Sequence, residues 1–235
     1  MIITPALTPF VTITSASFVP PGNAAGARPE TDQSAEEASP VVPEPGEQNP
    51  TDPSCRLGDA HSPRGSTSVI PTDYAAPDAS QVLRFRIEIE DGLAIDGECF
   101  SDAVAAILND PRGWGENGRL AFQPVTDADP DFRLILASPA TTDGLCYPLR
   151  TGGKYSCRSG AGVVLNLNRW ESGTEEYEDN LDIYRQYLVN HEVGHFLGHG
   201  HMGCPGPGEP APVMMQQTKG LQKCLLNGWP TSDER

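Results

Sequence analysis

Residues 188–201 read Leu-Val-Asn-His-Glu-Val-Gly-His-Phe-Leu-Gly-His-Gly-His, and four of the chain's five histidines fall inside this window: His191, His195, His199 and His201. No other stretch restricts the fold as much, because side chains that share one ligand must converge on a single point. His191 and His195 are spaced i, i+4. On a helix that spacing sets two imidazoles on one face, about 6 Å apart along the axis. Both then reach one metal ion at a zinc–nitrogen distance of about 2.0–2.1 Å. Glu192 follows the first histidine and is angled off the pair. There its carboxylate is placed to take a proton from water on the metal rather than to bind the metal itself.

A third ligand is required. His199 continues the i, i+4 series, but from His191 it lies about 12 Å along a continuous helix, beyond the span of one tetrahedral ion. Gly198 offers the alternative. Glycine ends a helix in a left-handed conformation at low cost, so the chain turns back and His201 approaches from outside the helix. His199 is then a bystander or a donor to one of the ligands. The complete pattern is His-Glu-x-x-His-x-x-Gly-x-x-His at 191, 192, 195, 198 and 201.

This pattern resembles the zinc signature of the metzincin metallopeptidases. The resemblance implies a methionine turn beneath the metal, and Pro212-Val213-Met214-Met215-Gln216 is the matching segment. Met214, after a small apolar residue, fits the position better than Met215. The tyrosine that follows the methionine in some members is absent here. Tyr184-Arg185-Gln186-Tyr187 before the motif, with Cys204 and Cys224 after it, also resembles an exported actinobacterial domain family of unassigned function, over roughly residues 75–230. The implied fold class is α+β: a twisted mixed sheet, an active-site helix, a backing helix and an irregular, disulfide-clamped carboxy-terminal subdomain.

Composition sets the domain limits. Residues 1–54 hold ten of the 23 prolines, with seven acidic residues and one basic, and few large apolar residues follow Val19. Such a segment buries too little apolar surface to offset its ordering entropy, so 1–54 reads as a disordered segment and linker. Residues 55–235 then form one domain, the expected zinc metallopeptidase. The chain carries −16 in all, of which −6 belongs to the first 54 residues and −10 to the rest. Phosphate binding needs clustered Lys and Arg, so nucleic acid is excluded as a partner.

The six cysteines, at 55, 99, 146, 157, 204 and 224, form no Cys-x-x-Cys pair. An even set without metal spacing reads as disulfides, hence an oxidising, extracytoplasmic compartment. Six cysteines allow 15 pairings, and sequence does not choose among them. The reading adopted is Cys55–Cys99, Cys146–Cys157 and Cys204–Cys224. The last would clamp the methionine turn, worth about 3 kcal/mol in the loop-entropy model. Cys55 has an alternative use, as an inhibitory thiolate ligand to zinc from the amino-terminal side. Residues 1–19 are mildly apolar but lack a basic start and contain Pro5 and Pro9, so no export signal is evident. No run reaches the ~18 apolar residues of a membrane span. The chain is taken as a monomer.

Along the domain, His61 stands alone and reads as a surface residue. Leu83, Phe85, Ile87 and Ile89 alternate with Arg84, Arg86, Glu88 and Glu90, the pattern of a half-buried strand. Ser101 is placed to cap a helix that Pro111 and Gly113 stop. Residues 120–125 form a weaker strand ended or put at an edge by Pro124, and 132–137 a third strand. Asp127, Asp129 and Asp131 lack the glycine and terminal glutamate of a hand-type calcium loop and read as a solvated turn. Residues 138–162 read as loops around a hairpin pinned by Cys146 and Cys157. Residues 163–168 read as a strand with Asn166 and Asn168 on its polar side. By the metzincin resemblance this would be the antiparallel edge strand that pairs with a bound peptide. Asn180 or Asp182 caps the metal-site helix, which runs to about Leu197 and buries Leu188, Val189, Val193, Phe196 and Leu197. The last five residues are expected to fray.

The expected function is zinc-dependent endopeptidase, with a peptide or protein as substrate. His191, His195 and His201 hold Zn2+, Glu192 is the general base and then the acid to the leaving amine, and Met214 is an apolar floor. The alternatives are a non-catalytic zinc-stabilised binding module of the cell envelope, favoured if His199 supplied a fourth ligand, and a zinc amidase acting on cell-wall peptides.

Overall fold

The computed structural model describes residues 54–115 and 118–235. The chain divides into two units, Met1–Glu47 and Gln48–Arg235, and all described residues belong to the second. The disordered segment expected over 1–54 thus falls, except for Ser54, outside the described residues.

The described unit is α+β. Its strands are β1 (Thr67–Val69), β2 (Gln81–Glu90), β3 (Leu120–Pro124), β4 (Phe132–Ala137), β5 (Cys157–Ser159) and β6 (Gly162–Asn166). The helices are α1 (Gly97–Leu108), α2 (Pro139–Leu145), α3 (Leu167–Ser172) and α4 (Leu181–Phe196). The sheet is mixed, in the order β1-β2-β4-β6-β5, with β3 also paired to β2. β2, β3, β4 and β6 run parallel, and β1 and β5 are antiparallel. β3 is an edge strand, as Pro124 required, since proline cannot donate to a further ladder.

The register explains the main core. Ile87 pairs with Leu134 and Leu134 with Val163, while Ile89 pairs with Leu136 and Leu136 with Leu165. Because strand side chains alternate, all six share one face. They pack with Val104 and Leu108 of α1 and Leu188, Val189 and Val193 of α4. The two helices are therefore held on the same face of the sheet, α4 beside α1.

The opposite face corrects the reading of β2 as half-buried. Glu88 and Glu90 are 2% and 1% exposed. A buried charge is tolerable only when paired. Glu88 takes two hydrogen bonds from Arg133, at 2.7 and 2.5 Å, and one each from Arg86 and Thr67. Glu90 accepts from the Ser138 and Gly65 amides and the Thr141 hydroxyl. Glu90 thereby ties β2 to the start of α2, a helix that the loop reading of 138–162 missed. Ser138 is its N-cap and Pro139 its first residue, where a missing N–H costs nothing.

Other expectations shift by a few residues. Asp96, not Ser101, caps α1 by accepting the Cys99 N–H at 3.1 Å, and Ser101 is buried inside the helix. Asn166 is buried and caps α3, and Asn168 belongs to that helix rather than to a strand. His61 is half-buried, accepting the Ala94 N–H and meeting Glu171 at 3.2 Å. All three disulfides form as paired in the sequence reading: Cys55–Cys99, Cys146–Cys157 and Cys204–Cys224. After α4 the chain has no further strand or α-helix, and Cys204–Cys224 packs with Ala211 and Met215 as a small separate core. Among the described residues no helix is long and apolar enough to cross a membrane.

Candidate metal centre

α4 carries His191, Glu192 and His195 in its last two turns. It ends at Phe196 with Leu197 as its C-cap, and the termination is a Schellman motif. The Gly198 N–H donates to the His195 carbonyl at 3.2 Å, and the His199 N–H to the Gly194 carbonyl at 2.9 Å. Gly198 takes φ +99°, a conformation that favours glycine. This turn reverses the chain and returns His201 to the open end of the helix.

The three rings converge. The ligating nitrogens of His191, His195 and His201 all lie within 4.8 Å of one another. His195 Nε2 and His201 Nε2 are 3.0 Å apart. The ring centroids are 4.7 Å apart for His191–His195 and His195–His201, and 5.4 Å for His191–His201. Two backbone carbonyls set the tautomers. His191 Nδ1–H donates to Val213 O at 2.7 Å, and His195 Nδ1–H to His199 O at 2.9 Å. A carbonyl only accepts, so each Nδ1 holds its proton and each Nε2 keeps a lone pair aimed into the cluster. Burial holds His191 down to about 3, despite its bond to Val213, and neighbouring imidazoles add to the effect. Burial also lowers His195 and His201. All three are thus neutral imidazoles near pH 7, the form that ligates. Together they can hold a metal ion.

Glu192 lines the same cleft as the three histidines. It is 5% exposed, and its Oε2 is buried with no hydrogen-bond partner among the described residues. Burial pushes its carboxyl up to about 8. A cation held by the three imidazoles would offset that burial and favour the ionised form, whose unpartnered Oε2 could then accept from water on the cation. The donor set therefore fits a metal ion.

Met214 is fully buried beneath the helix. A Cβ added at Gly194 would lie 2.4 Å from Met214 Sδ and 2.7 Å from Trp114 Cζ2, so glycine between the two helical histidines lets the methionine approach. Met215 belongs to the core of the carboxy-terminal segment and not to this floor. His199 stays out of the cluster: its ring stacks on Trp114 at 4.4 Å, and its carbonyl orients His195. Cys55 is bonded to Cys99, so its alternative use as a thiolate ligand does not arise.

Two features were not visible in the sequence. Glu234, placed in a tail expected to fray, is 4% exposed and accepts from the Val213 and Met214 amides and from Thr231. No sequence signal marks it, since an isolated acid near a terminus reads as solvated. The second is the sheet edge. β6, expected at the edge, lies between β4 and β5 and runs parallel to β4. The antiparallel edge strand is β5, whose Cys157 and Arg158 line the cleft. The cleft has a cavity of about 410 Å³.

Compared with known families, residues 60–228 match the one described as "Protein of unknown function (DUF3152)". A comparison with curated proteins finds no match.

Proposed function

We propose that this chain, which belongs to the DUF3152 family, is a zinc-dependent endopeptidase of metzincin type. The observation that carries the reading is the pairing of cleft-lining Glu192, whose buried Oε2 has no partner among the described residues, with the three histidines that converge beside it. A structural zinc site takes four protein ligands and needs no adjacent base, whereas a catalytic site takes three and keeps a position open. The position of the His199 ring on Trp114 weighs against a fourth histidine ligand and so against a purely structural site.

His191, His195 and His201 would hold the ion through their Nε2 atoms. When bound, zinc supplies Lewis acidity, lowering the pKa of water toward ~7 and polarising a carbonyl oxygen. The chain's own residues do the rest. Val213 O and His199 O keep both helical imidazoles in the ligating tautomer and fix their orientation. Glu192 accepts the proton of the attacking water and passes it to the departing amine. Met214 seals the floor with a polarisable, water-free contact. β5 pairs with β6 on one side and contributes Cys157 and Arg158 to the cleft, so a substrate backbone could add to its other edge as a further antiparallel strand. The three disulfides favour an exported location.

The test is Glu192→Ala. This variant should retain one zinc per chain by elemental analysis and lose cleavage of an unstructured protein substrate. Cleavage at the wild-type rate would remove Glu192 from the reaction. Full zinc occupancy in the wild type with no turnover of any peptide or protein would favour the non-catalytic binding module instead.

A further inference from the structure

The protein has 32 acidic residues and 16 basic ones, yet its cleft has the opposite character. Arg150, Arg158 and Lys219 line it, and among the described residues Glu192 is its one carboxylate. None of the three cations is in an ion pair among the described residues. Arg158 Nε donates to the His195 carbonyl at 3.3 Å, which holds the guanidinium beside the metal cluster. Lys219 Nζ lies 5.3 Å from the ring centre of Tyr155, on the wall of the same cleft.

This wall is built rather than incidental. The Cys146–Cys157 disulfide fastens both ends of the segment that carries Arg150 and Tyr155. Asp143 accepts from the Thr151 hydroxyl and the Gly153 amide. Arg169 donates to Lys154 O at 2.6 Å, and the Asn166 N–H donates to Ser156 Oγ at 2.9 Å. The backbone beneath these cations is thus fixed, while the three side chains are themselves exposed; cations gathered at one cleft focus potential toward it. A substrate carboxylate would be repelled by the net-negative molecule at long range and attracted by the cations of this cleft.

We infer that the preferred substrate is an anionic peptide, with an aspartate, a glutamate or a free carboxylate close to the scissile bond, bound by Arg150, Arg158 and Lys219. The reaction rests on the peptidase reading above. The recognition rests on the cleft alone, because the cations belong to the chain and need no metal.

The experiment uses the full chain and matched fluorogenic peptides that differ only in Glu, Gln or Lys at each position flanking the cleaved bond. The zinc-loaded enzyme should prefer Glu over Gln at one or more positions by about tenfold in kcat/KM, the scale of one charge-assisted hydrogen bond. The preference should shrink in high salt. The double variant Arg150→Glu, Lys219→Glu should bring the Glu-to-Gln ratio close to one. Binding of the same peptides to metal-free protein, followed by fluorescence anisotropy, should show the same order. Equal handling of Glu and Gln peptides in both assays, or a ratio unchanged in the double variant, overturns the inference. Selective binding of Glu peptides with no turnover of any peptide would support it while sinking the peptidase reading.

Discussion

Glu234 holds Met214 by its backbone: Oε1 accepts the Met214 N–H at 2.6 Å, and Oε2 accepts the Val213 N–H at 3.0 Å. Val213 in turn gives its carbonyl to His191 Nδ1. A residue next to the chain's last thus anchors the peptide that orients the first histidine of the metal cluster. Glu234→Ala leaves two buried amides without acceptors, each worth about 1–3 kcal/mol. Urea unfolding should show a loss of roughly 2–4 kcal/mol. Zinc affinity should fall about 10–100-fold, the range for loss of an outer partner of a ligand. Unchanged stability together with unchanged affinity would disprove the anchoring role.

Metal binding should couple to folding. Zinc at about 100 times its Kd should stabilise the chain by about 2.7 kcal/mol, read as an upward shift in Tm that a chelator reverses. His195→Ala should abolish that shift. A Tm response to zinc that survives in His195→Ala would mean that the metal binds elsewhere.

Gly198 and Gly200 make a matched pair. A Cβ meets nothing within 4 Å at either, but only Gly198 has a positive φ, +99°. Gly198→Ala should therefore cost about 1–2 kcal/mol through backbone strain and weaken zinc binding by displacing His201. Gly200→Ala should change little. Similar effects at the two positions, in unfolding and in zinc titration, would refute the strain argument.

Gly194→Ala tests the floor. Alanine is the better helix former by about 1 kcal/mol, but its Cβ would collide with Met214 Sδ and the Trp114 ring. Overpacking costs about 1–3 kcal/mol, so the net effect should be destabilising. Adding Met214→Ala should recover part of the loss, with a coupling above about 0.5 kcal/mol in a double-mutant cycle. Strict additivity would show that the two residues do not press on each other.

Acid should act through Glu88. Burial opposes its charged form, but hydrogen bonds from Arg133, Thr67 and Arg86 and the charge of Arg133 overcome this and hold its pKa down to about 2. A depressed folded-state pKa adds stability that is present above the unfolded value, near 4.5, and is lost as pH falls through 2. The full effect is on the order of 3 kcal/mol. The stability gap between wild type and Glu88→Gln, measured on metal-free protein, should be largest at pH 6 and smaller at pH 3. A gap that stays constant would show that Glu88 titrates alike in both states.

Much of the site was legible because it is local. The i, i+4 spacing of His191 and His195, the break at Gly198 and the offset of Glu192 are properties of one helix and one turn. Backbone geometry alone sets them. The strand at 132–137 and the apolar core positions of α4 were readable from their apolar runs, although α4 is buried on more than one side, continuously from Tyr187 to Gly194.

The alternation in β2 shows where that reading stops. Period two separates two faces but does not say that one is wet. Arg133 and α2, distant in sequence, close over Glu88 and Glu90 and turn an apparent solvent face into a buried polar layer. The same holds for β6. The metzincin resemblance put it at an edge, but β5, which follows the Cys146–Cys157 loop and pairs antiparallel with β6, takes that place.

The sequence alone determined which groups can meet a metal, because helical pitch and one glycine fix their directions within about ten residues. Tertiary structure decided what stands around them: the Val213 carbonyl, the Glu234 anchor, the β5 edge and the cationic wall. Those contacts join segments whose separation along the chain carries no geometric information until the sheet, the disulfides and the core bring them together.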